Sequence, residues 1–187
     1  MDAPEFREFQ KIARLSRDVI VTEKIDGTNG LVYVSEDGTH VMAGSRNRWL
    51  SPEKSLDNFG FAAWVRDNAT ELLKLGPGYH YGEWWGAGIG RRYDLTEKRF
   101  SLFNPKYCQE AEAARSRDVA LYTVPVLYIG PFDTGLIEGL LTALAISGSQ
   151  AAPGFMKPEG VVIYHTASRS LFKKTIEKDE APKGLAQ

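Results

Sequence analysis

Val19-Ile20-Val21-Thr22-Glu23-Lys24-Ile25-Asp26-Gly27-Thr28-Asn29-Gly30-Leu31-Val32-Tyr33-Val34 places two apolar, β-like runs on either side of a short polar segment. A lysine at the end of a strand, followed two residues later by Asp-Gly, has the local form of a covalent nucleophile. Lysine attacks only as the neutral amine, a state that neighbouring cations or desolvation favour. Asp26 can orient the chain, and Gly27 lets the backbone turn where bulk is not tolerated. Alone, the same K-x-D-G describes a solvated turn equally well, so the rest of the chain has to decide between the two.

The 187 residues fit one domain over 1–187, with a core at about 20–176 and a polar tail at 177–187. An apolar fraction of 43% is ample for a core. Lys plus Arg (23) nearly balance Asp plus Glu (24), which argues against a general nucleic-acid coat while permitting a local basic face. The single cysteine, Cys108, excludes an internal disulfide, fits a reducing cytosol and is expected to be structural. No apolar run approaches the ~18 residues of a membrane span, so a soluble, cytoplasmic monomer without membrane contact is expected.

Leu31 to Ser35 and Thr39 to Ala43 form a hairpin signal through Glu36-Asp37-Gly38. Ser51-Pro52-Glu53 predicts the start of a helical stretch that runs through Leu75 to Gly76-Pro77-Gly78. Strands are expected at Tyr79–Trp85 and Arg99–Phe103, then a surface helix at Gln109–Asp118. A β-rich segment follows at Ala120–Ile129, interrupted by Pro125. Asp133 or Thr134 caps a helix over Gly135–Ala145, and two strands, Glu159–His165 and Ser170–Ile176, close the pattern. The class is α+β, with mostly antiparallel sheets and flanking helices.

Five further features follow Lys24 at expected strand ends. Arg46, in Gly44-Ser45-Arg46-Asn47-Arg48, can fork onto phosphate oxygens or form an ordinary basic turn. Glu83, in Tyr81-Gly82-Glu83-Trp84-Trp85-Gly86, has a glycine on either side, at 82 and 86, which permits close ligand approach, and it suits a bidentate grip on ribose hydroxyls. Trp84 and Trp85 read as core. No G-x-x-x-x-G-K-[ST] occurs, so no P-loop holds phosphate. Phe103, ending Phe100-Ser101-Leu102-Phe103, can stack on a purine or fill a core. Glu159 heads the apolar strand Gly160-Val161-Val162-Ile163, where a divalent metal would explain a carboxylate. Lys173 and Lys174 are adjacent in a strand and face opposite ways, so only one can share a pocket with Lys24.

In this order the segments resemble motifs I, Ia, III, IIIa, IV and V of the covalent nucleotidyltransferases, which comprise DNA ligases, RNA ligases and mRNA-capping enzymes. Glu23-Lys24-Ile25-Asp26-Gly27-Thr28-Asn29 is similar to the E-K-x-x-G-T-N form of RNA ligases, especially the phage double-strand RNA ligase type. The resemblance implies a nucleotidyltransferase fold, ATP-grasp-like, and an ATP-dependent RNA ligase. Lys24 would attack the α-phosphorus of ATP and form lysyl-AMP. Glu23 and Ile25 would help hold the adenylate through backbone groups, Arg46 would contact phosphate, Glu83 the ribose and Phe103 the adenine. Asn29 and Glu159 would organise Mg²⁺ or Mn²⁺, and Lys173 or Lys174 would meet phosphate. AMP would pass to a 5′-phosphate end before a 3′-hydroxyl seals the strand.

The chain departs from that family in two places. Motif V is Lys173-Lys174-Thr175 rather than K-x-K, and the eleven residues after Ile176 are too few for an OB domain. A minimal DNA ligase, or a nucleotide- or nucleic-acid-binding module without sealing activity, are the alternatives. Lys11, Arg14 and Arg17, or Arg91, Arg92, Lys98 and Arg99, could supply a basic entry surface for the nucleic-acid partner.

Overall fold

A computed structural model describes residues 5–9, 11–53, 55–177 and 179. Two sheets carry the chain. The first has strand order β7-β1-β8-β9, where β1 is Asp18–Lys24, β7 Val126–Pro131, β8 Gly160–His165 and β9 Ser170–Thr175. The second has order β3-β2-β4-β5-β6, where β2 is Thr28–Val34, β3 Val41–Gly44, β4 Gly78–Gly86, β5 Lys98–Leu102 and β6 Leu121–Thr123. All pairings are antiparallel except β5 with β6.

Period-two alternation in the strands gives each sheet one helix-covered face. On the first sheet, Val19, Val21, Val161 and Ile163 point to one side and bury against Ile137 and Leu144 of α4 (Thr134–Ser147). Asp133 caps α4 by accepting the Leu136 N–H at 2.7 Å. On the second sheet, Val32, Val34, Trp84, Phe100 and Leu102 pack beneath α1 (Phe61–Asp67) and α3 (Cys108–Arg115). A third apolar cluster, Ile25, Trp85, Tyr93, Val124, Ala152 and Phe155, packs the turn between β1 and β2 against β4 and the connecting loops. Trp84 and Trp85 are both core residues, whereas Cys108 is an exposed thiol at the start of α3.

Two elements differ from the sequence expectation. The helical stretch does not begin at Ser51; its first helix begins at Phe61. The Asp57 carboxylate sets that start by accepting the N–H groups of Asn58, Ala62 and Ala63 at 2.6, 2.7 and 3.2 Å. Asn68, with φ −110°, then separates α1 from α2 (Ala69–Leu72), and its side chain donates to the Trp64 carbonyl at 2.7 Å. The β-rich segment around Pro125 is also two strands in different sheets, because the chain leaves β6 at Thr123 and joins the other sheet as β7 at Val126. The Pro125 carbonyl accepts the Glu23 N–H at 3.0 Å, so the proline sits where no donor is required of it.

Asp57→Ala removes the acceptor for the first turn of α1 and should lower stability by about 1 kcal/mol, read by urea denaturation. An unchanged midpoint would show that Phe61 and Gly60 alone set the helix start.

Candidate active site

Strand β1 ends at Lys24 in the first sheet and β2 begins at Thr28 in the second, so Ile25-Asp26-Gly27 crosses from one sheet to the other. Gly27 makes the crossing possible. A Cβ there would lie 2.5 Å from the Trp84 carbonyl oxygen and 2.7 Å from Trp85 Cβ, closer than side chains tolerate. Pressed against β4, the turn brings Lys24 to the row of the second sheet where Asn29 pairs with Glu83. These residues and Asp26, Thr28, Ser45, Arg46, Asn47, Arg48 and Asn58 line a cleft of about 410 Å³.

Within the cleft, Lys24 Nζ lies 2.5 Å from Glu159 Oε2, and both side chains are largely buried. Glu159 precedes Gly160, which pairs with Lys24 across β1 and β8. Burial drives the Glu83 carboxyl up to about 7. Lys24 and the Gly27 amide oppose that shift, while Glu159 and Asp26 reinforce it. Asn58 Nδ2 donates to Thr28 Oγ1 at 2.9 Å, so the Asp57 turn also braces the floor of the site. Arg46 and Arg48 are exposed at the rim, and among the described residues neither has a carboxylate at salt-bridge distance.

Behind the turn, Asp26 is held on two sides. Its N–H donates to the Tyr93 hydroxyl at 2.8 Å, and its carboxylate lies 3.7 Å from Arg91 Nε. Arg92, Tyr93 and Asp94 all have positive φ, 62°, 51° and 54°, a conformation that costs about 1–2 kcal/mol per residue. Burial of the Tyr93 ring offsets that strain, with Trp85 at 4.8 Å and Phe155 at 4.6 Å between centroids. The same burial raises the phenol pKa, keeping the hydroxyl neutral beside Asp26. Arg91 also donates to the Lys157 carbonyl at 3.1 Å, and Arg99 lies over Trp85 and Tyr122 while pairing with Glu97. Arg91 and Arg99, two members of the basic cluster that could supply an entry surface, therefore already have partners within the protein.

Glu23 lies on the opposite face of β1 from Lys24. Its buried carboxylate accepts from Ser149 Oγ at 2.5 Å and from the Gln150 and Ala151 N–H groups at 2.8 and 2.9 Å. Burial raises its pKa, and these three bonds act against the rise. Ile25 is buried in the cluster joining the sheets. Both positions therefore present backbone, not side chain, to the cleft side.

Register separates the two lysines of β9. Lys173 pairs through Val162 with Thr22, on the Lys24 face; Lys174 pairs through Val161 with Glu23, on the α4 face. Lys174 accordingly meets Glu138 of α4, with Nζ 2.7 Å from Oε1. Phe103 follows β5 on the Glu83 face, exposed at its edge, and its N–H donates to the Tyr81 carbonyl at 2.9 Å. No trio of Asp, Glu, His or Cys side chains forms a ready metal cage among the described residues. Glu159 beside Lys24 and Asp26 in the cleft lining offer the oxygen donors that a hard divalent ion takes while keeping most of its own waters.

Asp57, Asn58, Ser149 and Tyr93 had no local sequence signal as site residues; they reach the site from loops and act by bracing it. From the sequence, Arg91 reads only as part of a basic surface.

A family model described as RNA ligase matches residues 17–178. No protein of curated function matches the chain. Among solved structures it is similar to Naegleria gruberi RNA ligase, in a single-substitution mutant with ATP and Mn, at TM-score 0.63 and 20% identity. That match covers 86% of this chain and 50% of the other. Mutants of the same enzyme with AMP and Mn (TM-score 0.61, 20% identity, 85% and 49% covered) and without ligand (TM-score 0.61, 22%, 86% and 50%) match likewise. The shared fold is a nucleotidyltransferase-like α+β arrangement, and the chain spans about half the length of these relatives.

The raised Glu83 pKa has a signed consequence. The charged form is penalised in the folded state, so the penalty is absent below about pH 4.5, grows through the interval up to about 7, and is complete above it. Glu83→Gln should leave the melting temperature of the free protein unchanged near pH 4.5 and raise it by about 3 °C at pH 8. An equal shift at both pH values would contradict a buried, titrating Glu83.

Proposed function

The chain belongs to the RNA ligase family, and from that premise we propose that it is an ATP-dependent RNA ligase working through a lysyl-AMP intermediate on Lys24. The observation that carries this reading is the position of Lys24. It sits in a cleft between two sheets, 2.5 Å from Glu159, facing the Asn29–Glu83 row and the two rim arginines.

ATP is the nucleotide, as in the Naegleria enzyme, whose structures hold ATP or AMP with Mn. Phe103 offers an exposed ring at the edge of the Glu83 face for adenine, and Glu83 holds the ribose hydroxyls. Arg46 neutralises phosphate charge from the loop after β3. Lys173, on the Lys24 face of the first sheet, is the lysine of the pair that meets phosphate, while Lys174 braces α4. Asn29, Glu159 and Asp26 would hold Mg²⁺ or Mn²⁺ through its waters; when bound, the ion neutralises phosphate charge as it develops.

In the first step Lys24 Nζ forms a bond to the α-phosphorus, the bond from that phosphorus to the bridging oxygen breaks, and pyrophosphate leaves. Glu159 is the acceptor nearest the Lys24 proton. Glu23 and Ile25 keep the strand end rigid during attack, one through its triple hydrogen bond and the other through burial. The AMP then passes to a 5′-phosphate, and an RNA 3′-hydroxyl displaces it.

Incubation with α-labelled ATP and Mg²⁺, followed by a denaturing gel, tests the first step. Wild type should carry label, while Lys24→Ala and Lys24→Arg should carry none, because a guanidinium does not deprotonate in a protein. Label that persists in Lys24→Ala would sink the mechanism. Lys173→Ala should slow labelling at least about tenfold, whereas Lys174→Ala should leave its rate near wild type and lower only thermal stability. The reverse ranking would show that β9 shifts register when nucleotide binds.

A further inference from the structure

The uncovered face of the second sheet does not end at the cleft. Counting back along β4 from Glu83, alternate residues on that face are Tyr81 and Tyr79, 57% and 58% exposed. Their ring planes lie within 13° of each other with centroids 6.3 Å apart. Tyr33, paired with Tyr79 across β2 and β4, continues the surface at 4.8 Å. Trp49, 48% exposed, extends it at 6.0 Å from Tyr33. At about 3.3 Å of rise per residue, this aromatic surface reaches about 13 Å from Glu83.

Aromatic rings in such number on an exposed sheet face are costly to leave in water, and most of these are not used by the core. Trp49 ends the loop Ser45–Arg48 that supplies Arg46 and Arg48 to the rim of the cleft. One continuous surface therefore carries cations beside the site and flat rings leading away from it. Residues i and i+2 of a strand are spaced about 6.7 Å apart, near two intervals of base stacking at about 3.4 Å. A paired duplex hides its base faces; an unpaired strand exposes them.

We infer that the Tyr79–Tyr81–Tyr33–Trp49 face is a stacking platform for an unpaired stretch of the RNA substrate, whose terminus enters the Lys24 cleft past Arg46 and Arg48. The inference rests on the RNA ligase reading and adds the form of RNA and the surface that receives it. Tyrosine hydroxyls are not required, because stacking uses the ring faces and is tolerant of base identity.

The test measures binding of a 5′-phosphorylated single-stranded RNA and of a blunt, fully paired RNA by the full chain without ATP. Self-adenylylation is followed in parallel. Tyr79→Ala/Tyr81→Ala and Tyr79→Leu/Tyr81→Leu should each weaken single-strand binding at least about 30-fold, while Tyr79→Phe/Tyr81→Phe retains it. Duplex binding and adenylylation should stay at wild-type values in all three. Full binding by the leucine variant would overturn the inference in favour of simple apolar packing. Equal losses for single-stranded and paired RNA would also overturn it, as would a wild-type dimer that dissociates in the alanine variant. Absence of AMP label in wild type would refute the ligase reading instead, so the two failures are told apart.

Discussion

The steric contact between Gly27 and the backbone of β4 is the constraint on which the site depends. Two sheets that share no hydrogen-bonded strand must be joined by a turn short enough to keep Lys24 beside Glu83. Only a residue without a Cβ lets Ile25-Asp26-Gly27 lie this close to β4, because a Cβ at Gly27 would stand 2.5 Å from the Trp84 carbonyl oxygen. Other features secure that crossing. Tyr93 accepts the Asp26 N–H from a left-handed turn, Asn58 holds Thr28, and the Ile25–Trp85–Phe155 cluster removes the seam from water. Burying the apolar seam supplies the free energy that keeps the polar cleft narrow.

That geometry concentrates opposing charges. Lys24 meets Glu159 directly, and Glu83 feels both Lys24 and the surrounding carboxylates, while Arg46 and Arg48 stand exposed at the rim with no carboxylate at salt-bridge distance among the described residues. A cleft with buried acids at its base and exposed guanidinium groups at its mouth suits a polyanion arriving with a cation. The negative groups at depth and the positive groups at the entrance then each find a partner. Beyond the rim the same sheet turns from charged to aromatic, so the chemistry of one face changes along β4 within a few residues.

Lys24, Arg46, Phe103 and Glu159 stand out in the sequence because each lies at or just beyond the end of an apolar strand run, whereas Glu83 and the Lys173-Lys174 pair lie inside β4 and β9. Strand ends are where side chains can leave the core. The cluster Arg91, Arg92, Lys98 and Arg99 reads in the sequence only as a surface that could receive nucleic acid, since composition shows cations and not their partners. Arg91 is tied to Asp26, and Arg99 to Glu97, Trp85 and Tyr122. The start of α1 was misplaced because Pro52 is a generic signal, whereas the effective cap is a carboxylate reaching from Asp57.

What the sequence determined by itself is local: strand periodicity, the need for glycine after Lys24-Ile25-Asp26, and the α+β class with mostly antiparallel sheets. Tertiary structure alone decided which lysine of β9 shares the face of Lys24, because that depends on register with β8 and on Glu138 of a distant helix. It alone sent the chain across Pro125 from one sheet to the other, and it alone turned the Glu23 carboxylate away from the cleft toward Ser149, Gln150 and Ala151. Backbone alternation is written into neighbouring residues, whereas the partner that claims a buried charge comes from over a hundred residues away and is fixed only when the sheets close on one another.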